Sequence, residues 1–255
     1  MKLDVLGCDG GRGLGYKTTS LLFNDTVLID AGTIQSELTL ERACKIEHLF
    51  FTHTHFDHIV DLPFFLDATF ERREKPLTIY GSDYTLQTLK DHVFNDHIWP
   101  DFSVLPTPDK GQFTMKEIKP LETYRAGDLN IMPFAVDHTV PTFGYKLADE
   151  KSSVVFSADT APCPELWRVA NEAENLKALI MDMSFPNAEQ HIAGLSKHTT
   201  ANDLKEELKG FHQDCDIYTF SFKVGMADIL DEELAKLSHK GRKLYSLRNH
   251  RTLSF

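Results

Sequence analysis

The run Thr52-His53-Thr54-His55-Phe56-Asp57-His58 places three imidazoles and a carboxylate within six positions. Imidazole nitrogen together with carboxylate oxygen suits zinc, manganese or ferrous iron, whereas magnesium and calcium prefer oxygen alone. The run therefore points to a transition-metal site. It follows the apolar Leu49-Phe50-Phe51, which reads as a buried strand. In an extended segment leaving a strand, His53 and His55 project to the same side and can bind one ion together. A helical turn directly afterwards would set Asp57 and His58 beside that pair, where they could hold a second ion, as two-metal hydrolases require.

Two further positions have the right company. His138, in Val136-Asp137-His138-Thr139-Val140-Pro141, and Asp159, in Phe156-Ser157-Ala158-Asp159-Thr160, each follow a strand-like run. Rigid sheet ends are natural places for ligands.

The elements that must position these residues recur along the chain. Strands are expected over 2–7, 18–23, 26–30 and 47–51, with Asn24-Asp25 a tight turn. Helices are expected over 38–46 with Thr39 as cap, over 63–73, and over 82–93 with Ser82 as cap, around a strand at 77–81. Residues 101–111 hold two prolines and read as a loop. Strands then dominate 114–157, at 114–118, 123–126, 129–136, 143–147 and 153–157. Helices (164–171, 200–208, 227–237) and strands (178–183, 216–220) alternate to the end. Strand-rich halves, each closed by helices, predict an α/β fold of two sheets packed face to face with helices outside.

With 255 residues the chain can bury a sizeable core, and one domain spanning 1–255 is expected. Hydrophobic residues at 42% and charged residues at 25% are ordinary for a globular protein, and no apolar run approaches a membrane span. The first residues enter a strand-like run without a signal-peptide pattern, so a cytoplasmic location is expected. Cys8, Cys44, Cys163 and Cys215 lie far apart without a C-x-x-C pair, which predicts free thiols. The net charge of −11, from 27 basic and 38 acidic residues, disfavours long nucleic acids, but not a small phosphorylated molecule. A homodimer is compatible with these features.

The chain resembles the metallo-β-lactamase-fold hydrolases through H-T-H-F-D-H, D-H-T-V-P and F-S-A-D-T. Within them it is similar to class II 3′,5′-cyclic-nucleotide phosphodiesterases and to relatives near the tRNA 3′-processing endonucleases (RNase Z). Supporting runs are Leu6-Gly7-Cys8-Asp9-Gly10-Gly11, Thr18 to Leu22, Ile29-Asp30-Ala31-Gly32-Thr33, Ile98 to Phe102, Ser184-Phe185-Pro186-Asn187 and Lys197-His198-Thr199. The resemblance implies an αββα sandwich with two mixed sheets. It implies that His53, His55 and His138 hold a first metal, that Asp57 and His58 begin a second site, and that Asp159 bridges the two ions. One or two divalent transition ions would be held, zinc first and manganese or iron as alternatives. The implied reaction is hydrolysis of a cyclic nucleotide or similar small phosphodiester by a water held between the ions. Asp57 and His198 are the residues expected to carry catalysis, His198 by protonating the departing ribose oxygen.

One departure stands out. Relatives carry a histidine after a late strand, in runs such as T-H-L-K-P-G, that completes the second site. This chain has Phe220-Ser221-Phe222-Lys223-Val224-Gly225, so Ser221 stands at the histidine position. A neutral hydroxyl is a poor ligand for these ions. Either the second ion binds weakly, or His198 or His212 replaces the ligand, or one metal suffices.

Other features carry less. Gly10-Gly11-Arg12-Gly13-Leu14-Gly15 has the wrong spacing for a dinucleotide loop and is expected to be a hairpin loop bordering the site. Trp99, Phe102 and Phe143 could stack on a base but are expected in the core. His48, His92, His97, His191, His239 and His250 have no motif context. Besides a phosphodiesterase, the same scaffold would accommodate a lactonase or thioesterase, or a nucleotide- or metal-binding protein whose catalysis was lost with the histidine.

Overall fold

Asn24 and Asp25 adopt left-handed backbone angles, with φ of 47° and 60°, and the Thr26 amide donates to the Phe23 carbonyl. That is the turn whose twist matches a hairpin, and it pairs Ser20–Phe23 with Val27–Ile29. The computed structural model describes residues 1–255. Two seven-stranded sheets form its centre. The first runs Thr252–Ser254, Lys2–Gly7, Ser20–Phe23, Val27–Ile29, His48–Phe50, Leu77–Gly81, Phe113–Glu117. The second runs Tyr245–Ser246, Asp216–Phe220, Leu176–Asp182, Ser153–Phe156, Thr142–Ala148, Leu129–Val136, Tyr124–Ala126. Both mix parallel and antiparallel pairs.

Side chains alternate across each strand and both faces are covered, so the central strands read as near-continuous apolar runs. Leu21, Ile29 and Phe50 face inward and meet Tyr145, Phe156 and Phe220 of the other sheet. Their neighbours Leu22, Leu28 and Leu49 face outward, onto Leu62 and Phe65 of one helix and Leu86 of another. On the opposite side Val155, Leu179 and Ile217 pack against Leu166, Leu204 and Leu230. This is the expected sandwich with helices on both outer faces.

The helix caps explain where helices start and stop. Thr39 and Ser82 accept from the amides of Arg42 and Thr85 as N-caps. Thr200 and Asp203 form a reciprocal capping box, so the helix begins at Ala201. The helix expected over 63–73 occupies Leu62–Ala68 instead. Thr69 Oγ1 donates back to the Phe65 carbonyl, and Glu71 turns left-handed at φ 50°, which ends it. The helix expected over 227–237 stops at Leu234, and a short helix, Gln190–Ser196, adds to the expected elements. The stretch 101–111 is irregular apart from one turn of 3-10 helix, Pro108–Lys110. No helix is long and apolar enough to cross a membrane.

Two contacts tie the sheets together at the root of the histidine run. The Tyr145 hydroxyl donates to the Phe51 carbonyl at 2.5 Å, and the Phe143 amide donates to the Thr52 carbonyl at 3.0 Å. Burial holds the Tyr145 phenol well above its ordinary pKa, so it remains a donor. The strands ending at Ile29, Phe50, Val136, Phe156, Asp182 and Phe220 all deliver their carboxyl ends to one edge of the sandwich. In layered α/β proteins that edge is where chemistry collects.

Candidate metal centre

Asp30, one residue past Val27–Ile29, organises the first half of the centre. Its Oδ1 accepts from the Thr52 amide at 2.8 Å, and its Oδ2 accepts from the Thr52 hydroxyl and from His58 Nδ1, each at 2.7 Å. Because the single Thr52 hydroxyl proton goes to Asp30, its oxygen accepts from His53 Nδ1 at 2.9 Å. This assigns the proton of His53 to Nδ1 and leaves Nε2 bare. That nitrogen is buried and has no partner. His138 is fixed likewise, with Nδ1 donating to the Lys197 carbonyl at 3.0 Å and Nε2 facing His55 Nδ1 at 3.2 Å. The ligand-type atoms of His53, His55 and His138 lie within 4.8 Å of one another.

Asp159 joins this cluster to two more. It is 1% exposed, and its Oδ2 stands 3.4 Å from His58 Nε2 and 4.0 Å from His198 Nε2, while Oδ1 has no partner. It belongs both to the set His53, His58, Asp159 and to the set His138, Asp159, His198. Asp57 lies in the first turn of the short helix Phe56–Ile59, at the rim, its Oδ2 3.9 Å from His58 Nε2 and outside the three tight sets. The chain passes close by at Gly32, where a Cβ would fall 2.2 Å from the Asp57 carbonyl oxygen, so only glycine fits.

The electrostatics sort the imidazoles into two kinds. Burial, reinforced by neighbouring imidazoles, pushes His53 well below the ordinary value, and burial likewise lowers His55 and His138. These three rings are neutral near pH 7, as metal ligation requires. Burial alone would also lower His58, but the carboxylates of Asp159 and Asp30 outweigh it and hold His58 well above. Asp159 is driven well below its ordinary value by His58 and His198 despite its burial. Asp30 moves the other way, because burial outweighs the attraction of His58. For His198, burial is countered by Asp182, and the ring ends above its ordinary value.

His198 sits on the second sheet's side. Its Nδ1 donates to Asp182 Oδ2 at 2.7 Å, while Ser184 Oγ donates to Asp182 Oδ1 at 2.5 Å. The ring follows Lys197, whose left-handed φ of 55° ends the helix Gln190–Ser196. Ser221 is fully buried at φ 71°, its amide donating to the Cys8 carbonyl and its Oγ without a partner. Of the two histidines considered as replacements, the structure brings His198 to the cluster. His212 is exposed, with its backbone tied to Asn171 and Lys240.

The remaining candidates fall outside. Phe102 and Phe143 are buried in the core, and Trp99 meets Phe64 edge-on at 5.2 Å. The Gly10–Gly15 loop is closed by bridges between Asp9 and Thr18 and between Gly13 and Tyr16, with no helix after it. Its Arg12 donates to Asp61 at 3.1 Å. All four cysteines are free. Sequence reasoning missed Asp30 and Asp182 as the carboxylates behind the histidines. Imidazole nitrogens, one carboxylate, and two buried unpartnered ligand atoms on His53 and Asp159 form a donor set that fits a divalent transition metal.

Comparison with known proteins agrees with this geometry. A family profile described as "Beta-lactamase superfamily domain" matches residues 25–216. The chain is 30% identical over 178 residues to a Ribonuclease Z of Treponema pallidum subsp. pallidum, covering 64% of this chain and 54% of that protein. It thus spans about half the length of that relative. It is 24% identical over 254 residues to a "Probable 3',5'-cyclic-nucleotide phosphodiesterase" of Yersinia pestis, covering 82% of this chain and 71% of that protein. Among solved structures, the metallo-beta-lactamase fold protein YhfI from Bacillus subtilis superposes with a TM-score of 0.79 at 20% identity, covering 99% of each chain.

Proposed function

The chain belongs to the beta-lactamase superfamily, and from that premise we propose that it is a metal-dependent phosphodiesterase acting on a 3′,5′-cyclic nucleotide or a similarly small phosphodiester. It is a metallo-β-lactamase-fold hydrolase related to both RNase Z-like and cyclic-nucleotide phosphodiesterase families. In this reading His53, His55 and His138 hold one ion, Asp57 and His58 hold a second, and Asp159 is shared. Zinc is the ion this nitrogen-rich set favours. Bound ions would activate water and draw charge from the phosphoryl oxygens.

The chain's own residues do the rest. Asp30 and Thr52 orient His53 and His58. The Lys197 carbonyl orients His138. His198, held at Nδ1 by Asp182, keeps a proton at Nε2 and delivers it to the departing ribose oxygen. That histidine is the observation that carries the proposal: a buried imidazole hydrogen-bonded to Asp182, 4.0 Å from the carboxylate at the middle of the clusters, supports the reading of a general acid for an alkoxide leaving group. The −11 net charge favours a small substrate over a long polyanion. The identity to a Ribonuclease Z supports a second reading, cleavage of a short RNA end.

The test is a substrate panel: cyclic AMP, cyclic GMP, bis(p-nitrophenyl) phosphate and a 3′-extended tRNA, each under zinc, manganese and iron, beside Asp57→Ala. Metal-dependent turnover of a small phosphodiester, lost in Asp57→Ala, is expected. Turnover of the tRNA alone would favour the second reading, and no turnover under any metal would overturn both.

A further inference from the structure

Lys223 is a half-buried cation beside the reaction centre, yet it forms neither an ion pair nor a side-chain hydrogen bond. In a chain with 38 acidic residues against 27 basic ones, an unpaired ammonium in a crowded place needs an explanation. Its position is built. The Lys223 amide donates to the Ser184 carbonyl at 3.2 Å, which fixes the turn after Asp216–Phe220, and the ammonium lies 5.7 Å from the centre of the Phe185 ring. Gly10 makes room for it: a Cβ there would fall 2.9 Å from Lys223 Nζ, 2.9 Å from Ser221 Oγ and 2.4 Å from the Ser221 carbonyl oxygen. Any side chain at position 10 would displace the ammonium and collide with the backbone.

Two more observations point the same way. The Ser221 hydroxyl, against the same Gly10 surface, is buried without a partner, and such orphans usually await a ligand or water. Ser221 also holds a left-handed φ of 71°, a conformation that residues other than glycine keep when their surroundings enforce it. Phe185 links the ammonium to His198: its ring centre lies 5.7 Å from Lys223 Nζ and 5.7 Å from the centre of the His198 ring. A hydroxyl and an unpaired cation thus converge beside the proton donor, where the resemblance has a metal-ligand histidine.

We propose that Lys223 and Ser221 form an anion seat in which the Lys223 ammonium binds a non-bridging oxygen of the substrate's phosphoryl group and the Ser221 hydroxyl donates a second hydrogen bond to it. The proposal rests on the phosphodiesterase reading and names the group that this edge of the site recognises. A lysine ammonium is a recurrent phosphate ligand, acting as a point charge. Placed here, it supplies positive charge on the side where the histidine is missing.

The test compares zinc-loaded wild type, Lys223→Gln and Lys223→Arg in three measurements: ions per chain, calorimetric affinity for inorganic phosphate, and kcat/KM on bis(p-nitrophenyl) phosphate. Lys223→Gln should keep the wild-type ion count, bind phosphate at least about 10-fold more weakly, and lose about 10²-fold in kcat/KM, as removal of a donor to the reacting group does elsewhere. Lys223→Arg should recover most of the phosphate affinity. Unchanged phosphate affinity in Lys223→Gln, no phosphate binding by the wild type, or loss of an ion with the lysine would each overturn the proposal. Absence of phosphodiester turnover in a wild type whose phosphate binding still depends on Lys223 would instead overturn the phosphodiesterase reading.

Discussion

His58 and His198 are held alike on opposite sides of the centre. Each gives Nδ1 to a carboxylate that lies at or just past a strand end, Asp30 or Asp182, at 2.7 Å, and each turns Nε2 toward Asp159. Each carboxylate is also braced by a hydroxyl, that of Thr52 or Ser184. What differs is the company at Nε2. His58 lies 3.4 Å from Asp159, with its ring centre 4.2 Å from that of His53, among atoms that converge on a common point. His198 also shares a set with His138 and Asp159, but it lies farther from Asp159 and beside Phe185, whose ring the Lys223 ammonium approaches at 5.7 Å. Under the proposed function the same orienting device serves two tasks: at His58 it prepares a metal-binding nitrogen, and at His198 it prepares a proton donor.

The largest expected separation comes from changing the two carboxylates in parallel. Asp30→Asn frees the orientation of both His53 and His58, and metal affinity should fall about 10- to 100-fold, the usual consequence of losing the group behind a ligating histidine. Asp182→Asn should leave metal affinity unchanged. It removes the charge that keeps the His198 proton, so the alkaline limb of the kcat profile should move to lower pH. Metal titration with a chelating indicator beside a pH–rate profile checks both. Equal losses of metal in the two variants would erase the distinction.

A smaller effect is expected in the pH dependence of stability without metal. The pKa values of His58 and His198 are raised in the fold, so the stability they contribute is complete below an imidazole's ordinary value of about 6.5 and is lost as pH rises through their folded values. His53, His55 and His138 are lowered, so protonation favours the unfolded chain as pH falls below about 6.5. The histidine contribution to the metal-free melting temperature should therefore peak near that value. Zinc should reverse the upper limb, because binding displaces the His58 proton and strengthens as pH rises. Melting curves between about pH 5.5 and 9, with chelator or with zinc, check this; a metal-stabilised protein that loses stability above neutrality in parallel with the metal-free one would contradict it.

The histidine run was legible because its ligand types lie within one short segment after an apolar strand, and His138 and Asp159 because they follow strands that end at the same edge. Asp30 and Asp182 were not. Their partners lie 28 and 16 residues away, and an aspartate at a strand end reads equally well as a turn former. The sandwich was legible from its alternating apolar runs, whereas helix ends were overrun where a local contact, such as Thr69 back to Phe65, outweighed apolar periodicity. Lys223 matches the lysine of T-H-L-K-P-G, but the run alone gives it no role; that emerges only when Gly10, distant in sequence, is brought against Ser221 and Lys223.

The most direct test of the division between the two histidines is the leaving-group dependence of His198→Gln, measured on protein with a verified ion count. The variant should keep the wild-type metal content and lose about 10²-fold or more on a cyclic nucleotide, whose ribose alkoxide needs a proton, with a much smaller loss on bis(p-nitrophenyl) phosphate, whose phenolate does not. Loss of an ion, or equal slowing of both substrates, would show that His198 is a ligand like His58 and that the two sides of the centre do the same work.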